Sequence, residues 1–587
     1  MSTKTRRFAT ITLFFERIGS WFARAWKGAA LGLIRKAIEL DSLREKKERK
    51  TMKTKHLLIA LVPLAALLLV GCSPKDALVP VVPEGAQAGD LVDLQPCTYE
   101  ANKVEYDADC GTLVVPENRS DPDSRLIALP VIRVRALSDS PAEPIFFLQG
   151  GPGGSNMHFQ YLEGLVDRHD FVQVGYRGVD GSVVLDCPEI SEAIRNAPGD
   201  LLSDAALESY AEASTRCAGR LQAEGVDLAG YTITETIDDM EDARVALGYE
   251  RINLLGESYG TRVEMIYEWM YPQSLHRVII VAVNPPGHFL WEPEDIDAQI
   301  EDYAELCARD TECRARTDDL AASMRHVSEN MPDRWLFIPI DKGGVKALTF
   351  VMFMESIQPP GAPVPLSAPA AIDMWLAAEK GDASGMALLS IGRDLFLPNL
   401  WVFGDFLSKG GSVDDYYDPA RDYRTELNPP DSILGSPWSL FIWGMLHGWP
   451  NTLIPEEYLQ VQPTDVETLL ISGSIDFSTP PQFATEELLP HLSNGEQVIL
   501  KDFGHTETFW NSQPEARAHM LNTFFSTGEV DASLYTYQPV NFHAGLGWPG
   551  LAKILVAVVV LVPILLLVLV WLIIRGVKRR KASQVSS

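Results

Sequence analysis

Positive charge is what the middle of this sequence lacks. Residues 73–549 hold 29 Lys and Arg against 74 Asp and Glu, a balance of −45, while the whole 587-residue chain carries only −29 because both ends are basic. A region this acidic repels phosphate backbones and anionic headgroups, which excludes nucleic acid and electrostatic lipid binding as its business. It fits a strongly solvated surface and would also favour cationic peptide amines. Cysteine is sparse as well: there are seven, and none stands in a C-x-x-C pair, so zinc-binding modules of that spacing are excluded. Internal repeats and low-complexity tracts are missing. Long uncharged apolar runs occur only near the two ends.

Those two runs read as membrane signals. Lys53 and Lys55 precede the apolar segment 57–70 (LLIALVPLAALLLV), which ends in Leu69-Val70-Gly71-Cys72. This is the length and order of a secretory signal, and its end resembles a bacterial lipobox with Cys72 as the lipidated residue. Residues 52–71 are the expected signal segment, with Met52 a normal start for it. Residues 1–51 then read as an over-extended start, or else as a basic membrane-surface helix. At the other end, Ile554 begins a run of 21 residues without charge that closes at Ile574, enough to cross a bilayer. A transmembrane helix is expected over 551–574. Arg575, Lys578, Arg579, Arg580 and Lys581 follow in a basic tail, 575–587, and positive flanks stay cytoplasmic. The expected place is the bacterial cell envelope, anchored in the plasma (inner) membrane with the large central region on the periplasmic or extracellular side.

An exported chain can keep disulfides. With Cys72 set aside, six cysteines remain, and neighbours pair naturally as Cys97 with Cys110, Cys187 with Cys217 and Cys307 with Cys313. Other connectivities stay open, as do free buried thiols.

Against this background Gly256-Glu257-Ser258-Tyr259-Gly260 stands out. Residues 251–255 (RINLL) read as a short buried strand and 261–270 (TRVEMIYEWM) as a helix. A serine on the sharp turn between such elements has its hydroxyl pushed out at the carboxyl edge of a sheet, and the flanking glycines let strand and helix approach. A serine hydroxyl needs a base to take its proton, and the base needs a third group to orient it. Two downstream sites fit the order serine, acid, histidine. Residues 467–472 (ETLLIS) read as a strand running into Asp476, and 497–500 (QVIL) as a strand followed by Gly504-His505. Taken singly, Asp476 reads equally as a turn or cap residue and His505 as a helix cap. Together with Ser258 they form a candidate catalytic triad.

A fourth component lies upstream. The strand at 144–148 (PIFFL) ends in Gln149-Gly150-Gly151-Pro152-Gly153-Gly154, where bare backbone can face an oxyanion. The candidate donors are the N–H groups of Gly151 and Tyr259. The loop lacks the Lys-Ser/Thr ending of a P-loop and the G-x-G-x-x-G spacing, which argues against a nucleotide site.

LQGGPGGS, GESYGT, SGSIDFSTPP and Gly504-His505 together resemble the α/β-hydrolase family of proline iminopeptidases and tripeptidyl aminopeptidases over about residues 97–525. The stretch 174–182 (VGYRGVDGS) with Leu185-Asp186-Cys187-Pro188-Glu189 is also similar, although Gly175-Tyr176 stands where the family usually has an Asp or Asn before Arg-Gly. The resemblance implies a mostly parallel central sheet flanked by helices, and release of single residues or short peptides from free N-termini. It implies no metal and no organic cofactor. Such an exopeptidase needs a carboxylate for the substrate ammonium. Glu257, Glu292, Glu294 and Glu355 are candidates, each also readable as a structural carboxylate. The same triad would serve an esterase or lipase on small acyl esters. A non-catalytic surface-binding lipoprotein on this scaffold would instead show a broken triad, and none is visible. The oligomeric state stays open.

The expected organisation is a linker over 72–95, a first half of the core over 96–286, a mainly helical lid over 287–460, a second half over 461–530 and a linker over 531–550. Trp335, Trp375, Trp401, Trp438, Trp443 and Trp449 fall in the lid and read as its core, or as lining of a substrate pocket.

Overall fold

The structure, a computed structural model, describes residues 80–362, 364–413 and 421–585. The signal segment 52–71, Cys72 and the extension 1–51 lie outside the described residues. Nine strands form one sheet in the order β1-β2-β3-β5-β4-β6-β7-β10-β11. β1 (Leu91–Ala101), β2 (Val104–Pro116) and β3 (Leu126–Val134) are an antiparallel meander at one edge. β3 pairs antiparallel with β5 (His169–Val174), and from there the sheet is parallel: β4 (Ala142–Leu148), β6 (Ile252–Glu257), β7 (Leu275–Val281), β10 (Glu467–Gly473) and β11 (Gly495–Leu500). This is the α/β-hydrolase fold. The first strand begins at Leu91, inside the stretch expected to be linker.

The inner parallel strands are buried on both faces, as their unbroken apolar runs require. Alternate side chains feed two apolar layers. Phe146, Leu148, Leu254 and Ile280 join one, and Ile145, Phe147, Leu255 and Ile279 join the other. The first layer continues into residues 287–460, so this insertion shares its core with one face of the sheet. The insertion is almost wholly helical, with a two-residue hairpin of β8 (Arg334–Trp335) and β9 (Ile338–Pro339) as its only strands among the described residues. Trp375, Trp438 and Trp449 are buried in that core.

Arg177 ties the meander to the layers above it. Its guanidinium, fully buried, binds Asp239 through two nitrogens at 2.6 and 2.7 Å and donates to the carbonyls of Glu117, Gly230 and Pro116. The disulfides join Cys97 to Cys110, Cys187 to Cys217 and Cys307 to Cys313, the pairing preferred from the sequence.

Past the core, residues 531–547 carry no helix or strand, and a helix runs from Trp548 to Val585. It starts three residues before the expected span. Among the described residues no single helix is both long and apolar enough to cross a membrane. The side chains at 562, 563, 566, 569, 573 and 576–585, inside that helix, are outside the description.

Candidate active site

All four site elements sit at carboxyl ends of parallel strands. β6 leads into Ser258, its neighbour β4 into the glycine loop, and β10 and β11 into Asp476 and His505. Ser258 has φ 53° and ψ −124°, a strained turn that only a tightly packed surround holds. The surround explains the glycines: a Cβ on Gly260 would overlap the Leu148 carbonyl, and one on Gly256 the Glu264 carboxylate.

The structure brings the three candidate catalytic side chains together. His505 Nε2 lies 2.9 Å from Ser258 Oγ. His505 Nδ1 lies 2.8 Å from Asp476 Oδ2 and 2.9 Å from Oδ1. With a carboxylate opposite Nδ1, the proton belongs there, which leaves Nε2 free to accept from the serine hydroxyl. Asp476 is fully buried and His505 nearly so. Burial lowers the imidazole pKa, while the charge and hydrogen bond of Asp476, then the charges of Glu355 and Glu257, raise it. The net shift is upward from 6.5.

Of the two simple local readings, that of Asp476 describes a real feature and that of His505 only its position. Asp476 Oδ1 accepts from the N–H groups of Ser478 and Thr479, each at 2.9 Å, so it is a turn residue as well as a histidine partner. His505 stands at the N-cap of the helix Thr506–Asn511, but its ring makes no cap bond there.

The glycine loop runs against the nucleophile. A Cβ on Gly150 would lie 3.0 Å from Ser258 Cβ and 3.6 Å from Ser258 Oγ. The strand side of the loop is fixed by Asn156, whose Oδ1 accepts from Gln149 N at 2.9 Å, and by Tyr176, whose hydroxyl donates to the Gln149 carbonyl at 3.1 Å. Gly151 lies in this loop, and Tyr259 opens the helix Tyr259–Met270 directly after Ser258. The N–H groups of a helix's first turn have no acceptor within the helix, so the Tyr259 N–H is available to a ligand.

Of the carboxylates considered for a substrate ammonium, Glu257 and Glu355 already spend their oxygens on the protein. Glu257 accepts from Gln149 Nε2 and Trp510 Nε1. Glu355 accepts from the N–H groups of Glu507 at 3.0 Å and Thr508 at 2.7 Å and from Thr508 Oγ1 at 2.7 Å. Burial pushes Glu257 up to about 7 and Glu355 up to about 8. Glu292 stands at the N-cap position of the helix Pro293–Arg309, without a side-chain cap bond, and the helix also carries Glu294. Burial raises the Glu292 pKa against the lowering charge of Arg421.

Sequence reasoning passed over several residues at this site. Thr479 Oγ1 donates to Asp476 Oδ2 at 2.7 Å and lies 3.2 Å from His505 Nδ1. The signal was present in the motif, three residues after the acid. From the lid, the Met354 carbonyl accepts from His505 N at 2.6 Å. Gly504 is needed for that approach, since a Cβ there would fall 2.5 Å from the Met354 oxygen. No local pattern pointed to Met354 or Glu355 in these roles.

Residues 143–330 match the family model of the α/β hydrolase fold, and residues 440–536 match that of TAP-like protein. The chain is 24% identical over 265 residues to a tripeptidyl aminopeptidase of Streptomyces lividans, covering 43% of this chain and 48% of that protein. It is 28% identical over 289 residues to the serine protease Hip1 of Mycobacterium tuberculosis, covering 45% and 54%. It is 23% identical over 229 residues to the putative hydrolase YuaR of Escherichia coli, covering 36% and 44%. The chain thus spans about half the length of the curated relatives it matches.

Proposed function

We propose that this chain, an α/β hydrolase with a TAP-like region, is a serine aminopeptidase that removes residues or short peptides from free N-termini. The observation that carries the reading is the relay of hydroxyl, imidazole and carboxylate, at 2.9 and 2.8 Å, on three loops far apart in sequence. A solvated surface has no use for such an arrangement, and it is the geometry that acyl transfer requires.

The steps follow from the atoms. His505 Nε2 takes the Ser258 proton as Oγ attacks the carbonyl carbon of the scissile bond. The negative charge moves to the carbonyl oxygen, facing the N–H groups of Gly151 and Tyr259, where each well-placed donor contributes about 3–4 kcal/mol. The imidazolium, held by Asp476, gives its proton to the leaving amine, and the C–N bond breaks. Water, deprotonated by the same imidazole, then releases the acyl group. The lid packed over the sheet edge supports exopeptidase action, because it limits how far a substrate extends beyond the scissile bond. The names of the peptidase relatives favour short N-terminal units.

The reading extends to place. In the helix Trp548–Val585, Ile554, Val558, Leu561, Leu565, Leu567, Val570, Trp571 and Ile574 are each 50–65% exposed. A run so apolar and so exposed suits a bilayer, and 21 uncharged residues at ~1.5 Å each span ~30 Å. With the basic tail inside and a lipid on Cys72, the catalytic region sits on the outer side of the plasma membrane. The three disulfides suit that compartment.

Digestion of a peptide library by the full chain in detergent, read by mass, tests the activity. The expected products are short N-terminal fragments, lost when the peptides are N-acetylated. Cleavage at internal bonds would end the aminopeptidase reading. Turnover of p-nitrophenyl acyl esters without any peptide cleavage would replace it with an esterase.

A further inference from the structure

The glycine loop is held from the lid as well as from the sheet. The Gly153 N–H donates to Asp405 Oδ2 at 3.1 Å, and the Gly153 carbonyl accepts from Val402 N at 3.0 Å. Both partners belong to the lid, Asp405 on its helix Phe403–Ser412 and Val402 at that helix's N-cap. The contact needs a bare backbone, since a Cβ on Gly153 would fall 2.9 Å from Trp401 Cβ and 3.0 Å from the Val402 carbonyl. Gly151 and Gly153 have φ of +149° and +78°. Backbone of this kind is free to rearrange unless something outside it fixes it.

What fixes it is a buried ion pair. Asp405 is 0% exposed at the side chain and Lys409, one turn on, 1%. Lys409 Nζ lies 2.9 Å from Asp405 Oδ1, donates to the Arg177 carbonyl at 3.1 Å and stands 4.7 Å over the Tyr176 ring. The Tyr176 hydroxyl in turn holds the Gln149 carbonyl, where the loop begins. One lid helix therefore reaches the loop at Gly153 through Asp405 and at Gln149 through Lys409 and Tyr176. Stability does not account for the pair, because apolar residues of the same volume pack as well or better than a buried ion pair.

We propose that Asp405 and Lys409 are positioning residues that hold the oxyanion loop in its working shape, so that the loop is ordered when this lid helix is seated. The proposal rests on the serine hydrolase reading above. Neither side chain touches a reacting atom. Their effect reaches the chemistry through the N–H group of Gly151, which lies between the two points of attachment.

The test uses the full chain in detergent and two substrates, a tripeptidyl p-nitroanilide and p-nitrophenyl acetate. The ester makes no peptide-subsite contacts yet forms the same oxyanion at Ser258. In Asp405→Asn and in the double variant Asp405→Leu/Lys409→Met, kcat is expected to fall by about 10–100-fold on both substrates. KM for the anilide should stay within about threefold and the acid limb of the pH profile should not move. The double variant leaves neither partner as an unpaired buried charge and is expected to fold, with a melting temperature lowered only by the stranded Gly153 N–H, so it decides the matter if Asp405→Asn does not fold. Wild-type kcat in the folded double variant, or a loss confined to KM, overturns the positioning role alone. Wild-type protein inert on both substrates overturns the hydrolase reading and the proposal with it.

Discussion

Replacing Asp476 by Asn separates its two jobs. Oδ1 accepts two backbone N–H groups, from Ser478 and Thr479, while Oδ2 accepts the Thr479 hydroxyl and faces His505 Nδ1. In Asp476→Asn the two N–H donors fix the amide orientation, because turning it would set an NH2 against both. Nδ2 then points at His505 Nδ1, where a second proton cannot sit. The imidazole proton moves to Nε2, which faces Ser258 Oγ and no longer serves as a base. The turn keeps its two backbone bonds, so the loss of stability should be about 1 kcal/mol. The wrong tautomer should cost about 10³–10⁴ in kcat, or ~4–5 kcal/mol of barrier. Asp476→Ala is the contrast: it strands two N–H groups, at about 1–3 kcal/mol each, and should melt well below the Asn variant. Steady-state rates on a tripeptidyl p-nitroanilide and circular-dichroism melts give both numbers. An Asn variant within tenfold of wild-type kcat would refute the argument that Asp476 sets the imidazole tautomer.

Three further outcomes follow from the same geometry. Thr479→Val removes a hydroxyl that donates to the buried Asp476 carboxylate, and kcat should fall by about 10–100-fold with KM little changed; an unchanged kcat would deny it a role. Because the His505 pKa is raised above 6.5 and the base must be neutral, the acid limb of kcat/KM should lie above 6.5, and a limb below that value contradicts the account. Glu268, fully buried, is pushed by burial from 4.5 up to about 8. Its uncharged form is favoured in the folded state, so the stabilisation is complete below pH 4.5 and is lost as pH rises through 8. Glu268→Gln should therefore gain on wild type by ~2–4 kcal/mol between pH 5 and pH 8 in denaturant unfolding; a constant difference would show that burial does not tune this group.

The residues that carry local geometry were legible in the sequence. A serine elbow needs glycine on either side, and Gly256 and Gly260 are each in contact that a Cβ would block. The strands before Ser258 and Asp476 announce themselves as short apolar runs because inner parallel strands are covered on both faces, whereas the one before His505 is a half-exposed edge strand with only a short apolar run at its end. What could not be read was any role set by the lid. Asp405, Lys409, Met354 and Glu355 meet the core only through the packing of distant helices, and their sequence neighbourhoods look like ordinary helix. Glu257 shows the same limit from the other side. It stands out for its place beside Ser258, but its partners, Gln149 on the glycine loop and Trp510 on the helix Thr506–Asn511, lie 108 and 253 residues away. The start of β1 at Leu91 escaped notice because Asp93 and Pro96 break the apolar rhythm, which an edge strand tolerates.

The central claim is that one hydroxyl, activated by one imidazole, attacks carbonyl carbon. It is tested most directly by labelling the full chain with a fluorophosphonate and mapping the adduct by peptide mass. The account predicts a single adduct on Ser258, absent in Ser258→Ala and slowed about 10³-fold or more in His505→Ala. Equal labelling of wild type and Ser258→Ala, or an adduct on another residue, would contradict it.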